Sequence, residues 1–337
     1  MSDIAVQLGT RTSRHTLMLR GTEVHYWDYA PVEPAGSGKA TDTDTGPAVG
    51  IAADLAAGIG ADTSPTVCTP TATATATTIL VVHGFRGDHH GLERLVEALP
   101  QFRFIMPDLP GFGSSAAVAA GEHDVEQYSR FVDELLAALE LGPETVLLGH
   151  SFGSIVASHF TAGHLGRVSS LILINPIAAP ALAGPNAVLS KLAAFYYLSA
   201  AKLPAAMGNA LLRNALIVRL MSITMAKTKD KALLEFIHGQ HSAYFSIFAN
   251  RDMLLQAFRA SISGNVRQFA FRLGLPVLLV AGAEDEIAPL PDQHRLMEVL
   301  PDAELSVIPR VGHLIHYETP KPAAAAISDF LKRHPHS

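Results

Sequence analysis

Between Val146 and Ala157 the chain reads as an apolar strand that becomes a helix across Gly149-His150-Ser151-Phe152-Gly153. A chain that turns from strand to helix so sharply holds its apical residue in a strained conformation, with the side chain pushed outward. Bulky groups two residues to either side would collide, and Gly149 and Gly153 fill those places. Ser151 is therefore the first candidate for chemistry.

A serine hydroxyl is a weak nucleophile near neutral pH. It needs an imidazole to take its proton and a carboxylate to fix the imidazole tautomer. Two later loops offer these groups. The buried-strand pattern from Pro276 to Ala281 runs into Gly282-Ala283-Glu284-Asp285-Glu286, and a short strand pattern from Glu304 to Pro309 runs into Arg310-Val311-Gly312-His313. Asp285 is the candidate orienter and His313 the candidate base. Glu284 and Glu286 compete with Asp285 but read as solvated loop charges. His316 competes with His313, and Gly312 is expected to give the backbone freedom to turn His313 toward the strand ends.

Serine, acid and histidine in that chain order, each beyond a strand, resemble the α/β-hydrolase family. The likeness extends to His83-Gly84-Phe85 after the strand from Thr78 to Val82. It includes Asp108-Leu109-Pro110-Gly111-Phe112-Gly113-Ser114 after the strand from Phe102 to Met106. The resemblance implies a mostly parallel central sheet flanked by helices, with an inserted helical cap. It also implies that the backbone amides of Phe85 and Phe152 form an oxyanion hole. Asp108 and its glycines are expected to shape a turn, and His83 to order its loop. Some relatives carry the acid at the position of Asn175, where this chain has an amide.

The length and the alternation of strand and helix patterns agree with this class. The expected organisation is a hairpin of the core over 1–34, a low-complexity insertion over 35–77, core over 78–176, a cap over 177–269, and the C-terminal core over 270–337. Within the cap, helical periodicity is expected over 187–198, 207–225, 229–244 and 252–261. Its apolar surplus is expected to line a pocket, with Phe195 and Met221 as candidate wall residues.

The formal net charge of −6 supplies no basic footprint for nucleic acid. The single cysteine, Cys68, precludes an intramolecular disulfide. Histidines are scattered, and neither His89-His90 nor the tail has metal-ligand spacing, so no metal and no cofactor are expected. Residues 1–15 lack an apolar run of signal-peptide length, which makes cytoplasmic the expected location. Residues 201–226 are apolar, but Lys202, Pro204, Arg213, Asn214 and Arg219 interrupt them, so a spanning helix is not expected. A lipid-surface helix is the less favoured reading of that stretch.

Together these observations point to a serine hydrolase that cleaves carboxylic esters of moderately apolar, small-molecule substrates, as a monomer or homodimer. The alternatives are a carbon–carbon bond hydrolase of ring-cleavage products, an acyltransferase, and a non-catalytic ligand-binding member of the fold. A serine rather than an aspartate at the turn argues against dehalogenase and epoxide-hydrolase chemistry.

Overall fold

In the computed structural model, residue 8 and residues 11–32, 76–180 and 187–335 are described. Most of the expected 35–77 insertion lies outside them. Among the described residues, eight strands form one sheet: β1 (Thr12–Leu19), β2 (Thr22–Tyr29), β3 (Thr78–Val82), β4 (Arg103–Pro107), β5 (Val146–His150), β6 (Ser170–Ile174), β7 (Val277–Gly282) and β8 (Ala303–Ile308). Their order is β1-β2-β4-β3-β5-β6-β7-β8. The first two strands form an antiparallel hairpin, β2 pairs antiparallel with β4, and every other pairing is parallel.

The central strands are short and apolar throughout because helices cover both faces. Every residue of β5, β6 and β7 is buried. Alternate side chains feed two separate cores. Leu80, Val82, Leu147, Leu171, Leu173 and Leu279 pack with α2 (Val125–Ala138) and α3 (Phe152–Gly163), whereas Ile79, Val81, Leu148, Ile172, Ile174 and Val280 face α1 (Glu93–Ala98) and α11 (Pro320–Arg333). A one-residue register slip would exchange these sets, so the pairing Leu80↔Leu147 and Leu148↔Ile172 is fixed from both sides.

Between β6 and β7 lie α4 (Ala187–Lys202), α5 (Ala205–Leu212), α6 (Ala215–Met225), α7 (Lys231–Tyr244) and α8 (Arg251–Ser263). The single helix expected over 207–225 is instead two helices. The break falls at Arg213-Asn214, because the Asn214 side chain accepts from the Leu216 and Ile217 amides at 3.0 and 3.2 Å and so begins a new helix. Of the later helices, α9 (Leu290–Met297) packs on β7 and β8, and α10 (Ile315–Glu318) packs on α1 and α11.

Candidate active site

Ser151 sits between β5 and α3 with φ +52° and ψ −118°, a backbone region costly for any residue with a Cβ. The turn is closed by contact. A Cβ on Gly149 would lie 2.5 Å from the Gly153 carbonyl oxygen, and one on Gly153 would lie 2.0 Å from that of Val82. Only glycine fits either place. The Ser151 amide donates to Ile174 at 3.0 Å, which ties the apex to the neighbouring strand end.

The other two groups arrive from the loops after β7 and β8, on the same edge of the sheet. His313 Nε2 lies 2.8 Å from Ser151 Oγ, and His313 Nδ1 lies 2.8 Å from Asp285 Oδ2. The amides of Ile287 and Ala288 donate to Asp285 Oδ1 at 2.8 and 2.9 Å. Burial alone would push the Asp285 carboxyl up. The adjacent imidazole and these donors outweigh it and hold the carboxyl below its ordinary value. Asp285 therefore stays an anion and an acceptor. Glu284 and Glu286 are exposed, and Glu286 pairs with Lys227 at 2.9 Å.

Gly312 does not play the expected part. It does not have positive φ; Arg310 does, at +57°. Close approach is what limits this corner instead, since a Cβ on Gly282 would lie 2.3 Å from the Gly312 carbonyl oxygen. His316 is buried with its ring edge-on to His150, 4.3 Å between centroids, and it is His313 that meets Ser151 Oγ.

The His83-Gly84-Phe85 loop lies against the serine: a Cβ on Gly84 would meet the Ser151 Cβ at 3.3 Å. Among the described residues, neither the Phe85 nor the Phe152 amide has a protein acceptor. His83 orders this loop, with Nδ1–H donating to Gly84 at 2.8 Å and Nε2 accepting from Leu109 at 2.9 Å. Burial depresses its pKa, which keeps it in that neutral tautomer. Asp108 shapes the next turn, accepting from the amides of His89 and Ser114 at 3.0 and 2.7 Å.

Two supporting roles were not read from the sequence. Asn175, with φ +47°, donates through Nδ2 to Asp285 Oδ2 at 2.8 Å and to the Gly312 carbonyl at 3.2 Å. The amide at this strand end thus braces the acid at the next. Its place after an apolar strand was visible, but its partner was not. Arg86, buried and with φ +61°, donates to the carbonyls of Phe245 and Leu212 at 2.9 and 2.7 Å and to the Tyr197 hydroxyl at 3.2 Å. It fastens the inserted helices to the loop carrying Phe85.

Ser151 and His313 open into a cavity of about 550 Å³. Its walls include Phe85, Ile177, Tyr197, Met221, Phe258 and Leu314, so the space beside the serine is largely apolar. Met221 is among the wall residues. Phe195 is not: it lies on the outward side of α4 with 69% of its surface exposed, because helical spacing turns Tyr197, not Phe195, inward. Near the cavity rim, Asp88, His89 and His90 bring one donor atom each within 4.8 Å of one another, although Asp108 already engages His89 Nδ1 at 2.8 Å.

Comparison with known proteins agrees with this architecture. The family profile described as "alpha/beta hydrolase fold" matches residues 77–320. The chain belongs to the α/β-hydrolase fold family. Pimeloyl-[acyl-carrier protein] methyl ester esterase of Chromobacterium violaceum is 31% identical over 70% of this chain and 86% of its own. Lipase 3 of a Moraxella species is 23% identical over 76% and 78%. Among solved structures, a thermophilic esterase from Thermogutta terrifontis superposes with a TM-score of 0.67 at 21% identity, over 96% of this chain and 100% of its own, a likeness of fold. Among the described residues no helix is long and apolar enough to cross a membrane.

Proposed function

We propose that the protein is a serine hydrolase that cleaves carboxylic esters of moderately apolar substrates. The observation that carries this reading is the continuous relay from Ser151 Oγ through His313 to Asp285, with 2.8 Å at each link. In this reading His313 Nε2 takes the hydroxyl proton as Ser151 Oγ bonds to the ester carbonyl carbon. The negative charge that develops on the carbonyl oxygen is met by the Phe85 and Phe152 amides, and such a donor contributes about 10²- to 10³-fold in rate. His313 then passes its proton to the departing alkoxide, leaving an acyl-serine. A water molecule repeats the sequence, giving up a proton to His313 as it attacks, and the carboxylic acid leaves as Ser151 Oγ regains that proton.

Supporting this reading are relatives named as lipase and as methyl ester esterase. The apolar cavity walls favour acyl or alcohol groups that bury methylenes. Each added methylene is expected to raise kcat/KM by at most about fourfold until the cavity is full, since burying one contributes about 0.8 kcal/mol.

The test is a panel of aryl esters graded by acyl length, together with a fluorophosphonate probe. Ser151→Ala and His313→Ala are each expected to lower kcat by about 10⁴- to 10⁶-fold, and the double variant little further, because the relay acts as a unit. The probe should label the parent and spare Ser151→Ala. Near-parental ester turnover by Ser151→Ala would overturn the reading.

A further inference from the structure

The helices inserted between β6 and β7 have two unlike faces. Their inner faces reach the cavity, through Ala193 and Tyr197 of α4 and Met221 and Met225 of α6. The opposite faces carry large apolar side chains in open solvent. On α6, Leu216, Leu220 and Ile223 fall at helical spacing on one exposed stripe, with Leu216 80% exposed. On α4, Leu192 and Phe195 do the same.

The charge of this region is as unusual as its apolarity. No Asp or Glu occurs from Thr145 through Lys229, although the whole chain carries −6. Lys191, Lys202, Arg219 and Lys229 are exposed and form no ion pair with any described residue. Arg219 stands on the same stripe as Leu216 and Ile223, at spacings of three and four residues.

We propose that this outer face docks on an anionic lipid bilayer, with Leu192, Phe195, Leu216, Leu220 and Ile223 entering the headgroup–acyl boundary and Lys191, Lys202 and Arg219 resting among the headgroups. A bilayer of this kind supplies both things the face lacks, an apolar depth and negative charge. A second copy of the chain supplies only the first. In a twofold contact the same basic residues would meet each other, with no carboxylate in the segment to pair them. Docking through α4 and α6 would bring the cavity walls against the lipid.

The experiment is flotation of the full-length Ser151→Ala protein, in which turnover plays no part, so that its result is independent of the ester reading. Vesicles of phosphatidylcholine alone are compared with vesicles of equal parts phosphatidylcholine and phosphatidylglycerol. The protein should float with the anionic vesicles, far less with the neutral ones, and be released at roughly 1 M salt, where the screening length falls to about 3 Å. Lys202→Gln and Arg219→Gln should each weaken binding about fivefold. Leu216→Asp with Leu220→Asp should abolish it while leaving the circular dichroism unchanged, because both side chains already stand in solvent. Failure to float with anionic vesicles would overturn the proposal, as would equal binding to both compositions. So would a stable dimer in sedimentation equilibrium that the paired aspartate substitutions dissolve.

Discussion

Replacing Gly153 by alanine tests the geometry of the serine turn most directly. The added methyl carbon would stand 2.0 Å from the Val82 carbonyl oxygen and 2.7 Å from that of His83, where ordinary contact begins near 3.4 Å. About 1.4 Å of separation has to be found, and both obstacles are backbone rather than the end of a flexible side chain. Either α3 tilts away from β3 or the His83-Gly84-Phe85 loop retreats from Ser151. Forced overpacking of this kind costs about 1–3 kcal/mol. A displacement of about 1 Å between reacting groups costs on the order of 10²-fold in rate. Gly163→Ala, on the last turn of the same helix, meets nothing within 4 Å. It should leave the rate alone and stabilise by up to ~1 kcal/mol, as alanine does in place of a helical glycine. The assay pairs thermal unfolding with hydrolysis of a short aryl ester for both variants. The reasoning is wrong if Gly153→Ala keeps the parental melting temperature and a rate within a factor of two of the parent.

Asn175→Ala should lower kcat about tenfold by removing a donor to the Asp285 anion, a hydrogen bond of a class worth about 1.5–3 kcal/mol. Asn175→Gly should recover stability but not rate, since it relieves the positive φ without restoring the donor; equal recovery of both would point to backbone strain alone. Acid should destabilise the fold well above the carboxylate range. Burial lowers His150 and His241 to about 3 and His316 well below its ordinary value, whereas the unfolded chain takes up these protons near pH 6.5. The unfolded state therefore binds more protons across that window. The stabilisation is complete above about pH 6.5 and is lost as pH falls toward 3, at about 1.4 kcal/mol per pH unit for each histidine. The urea midpoint should slope downward from pH 6.5 to 4.5, and His316→Phe should flatten it; a level midpoint in the parent would contradict the burial argument.

Much of the site was legible because its chemistry is local in sequence. The Gly149, Ser151 and Gly153 spacing follows from sterics within a single turn, and strands buried on both faces announce themselves as unbroken apolar runs. Asp285 could be chosen because it follows such a run and His313 because it follows a shorter, half-buried strand pattern, although only the sheet order β5-β6-β7-β8 decides that they meet Ser151. Other features depend on partners far along the chain. That Asn175 braces Asp285, and that Arg86 reaches two carbonyls in the inserted helices, has no signature in local pattern. The same limit explains Phe195, placed by apolarity on a pocket wall and by the fold on the outside. Periodicity gives the spacing of a helix face but not what that face meets. In residues 201–226 the charges looked like interruptions of a single apolar helix, and a cap at Asn214 had to divide it before Arg219 could be seen beside Leu216 and Ile223 on one exposed stripe. Sequence alone determined which side chains could do chemistry and where the strands lay, because sterics and burial act over a few residues. Tertiary structure decided which groups touch and which faces remain in water, because both depend on chain segments that are distant in sequence.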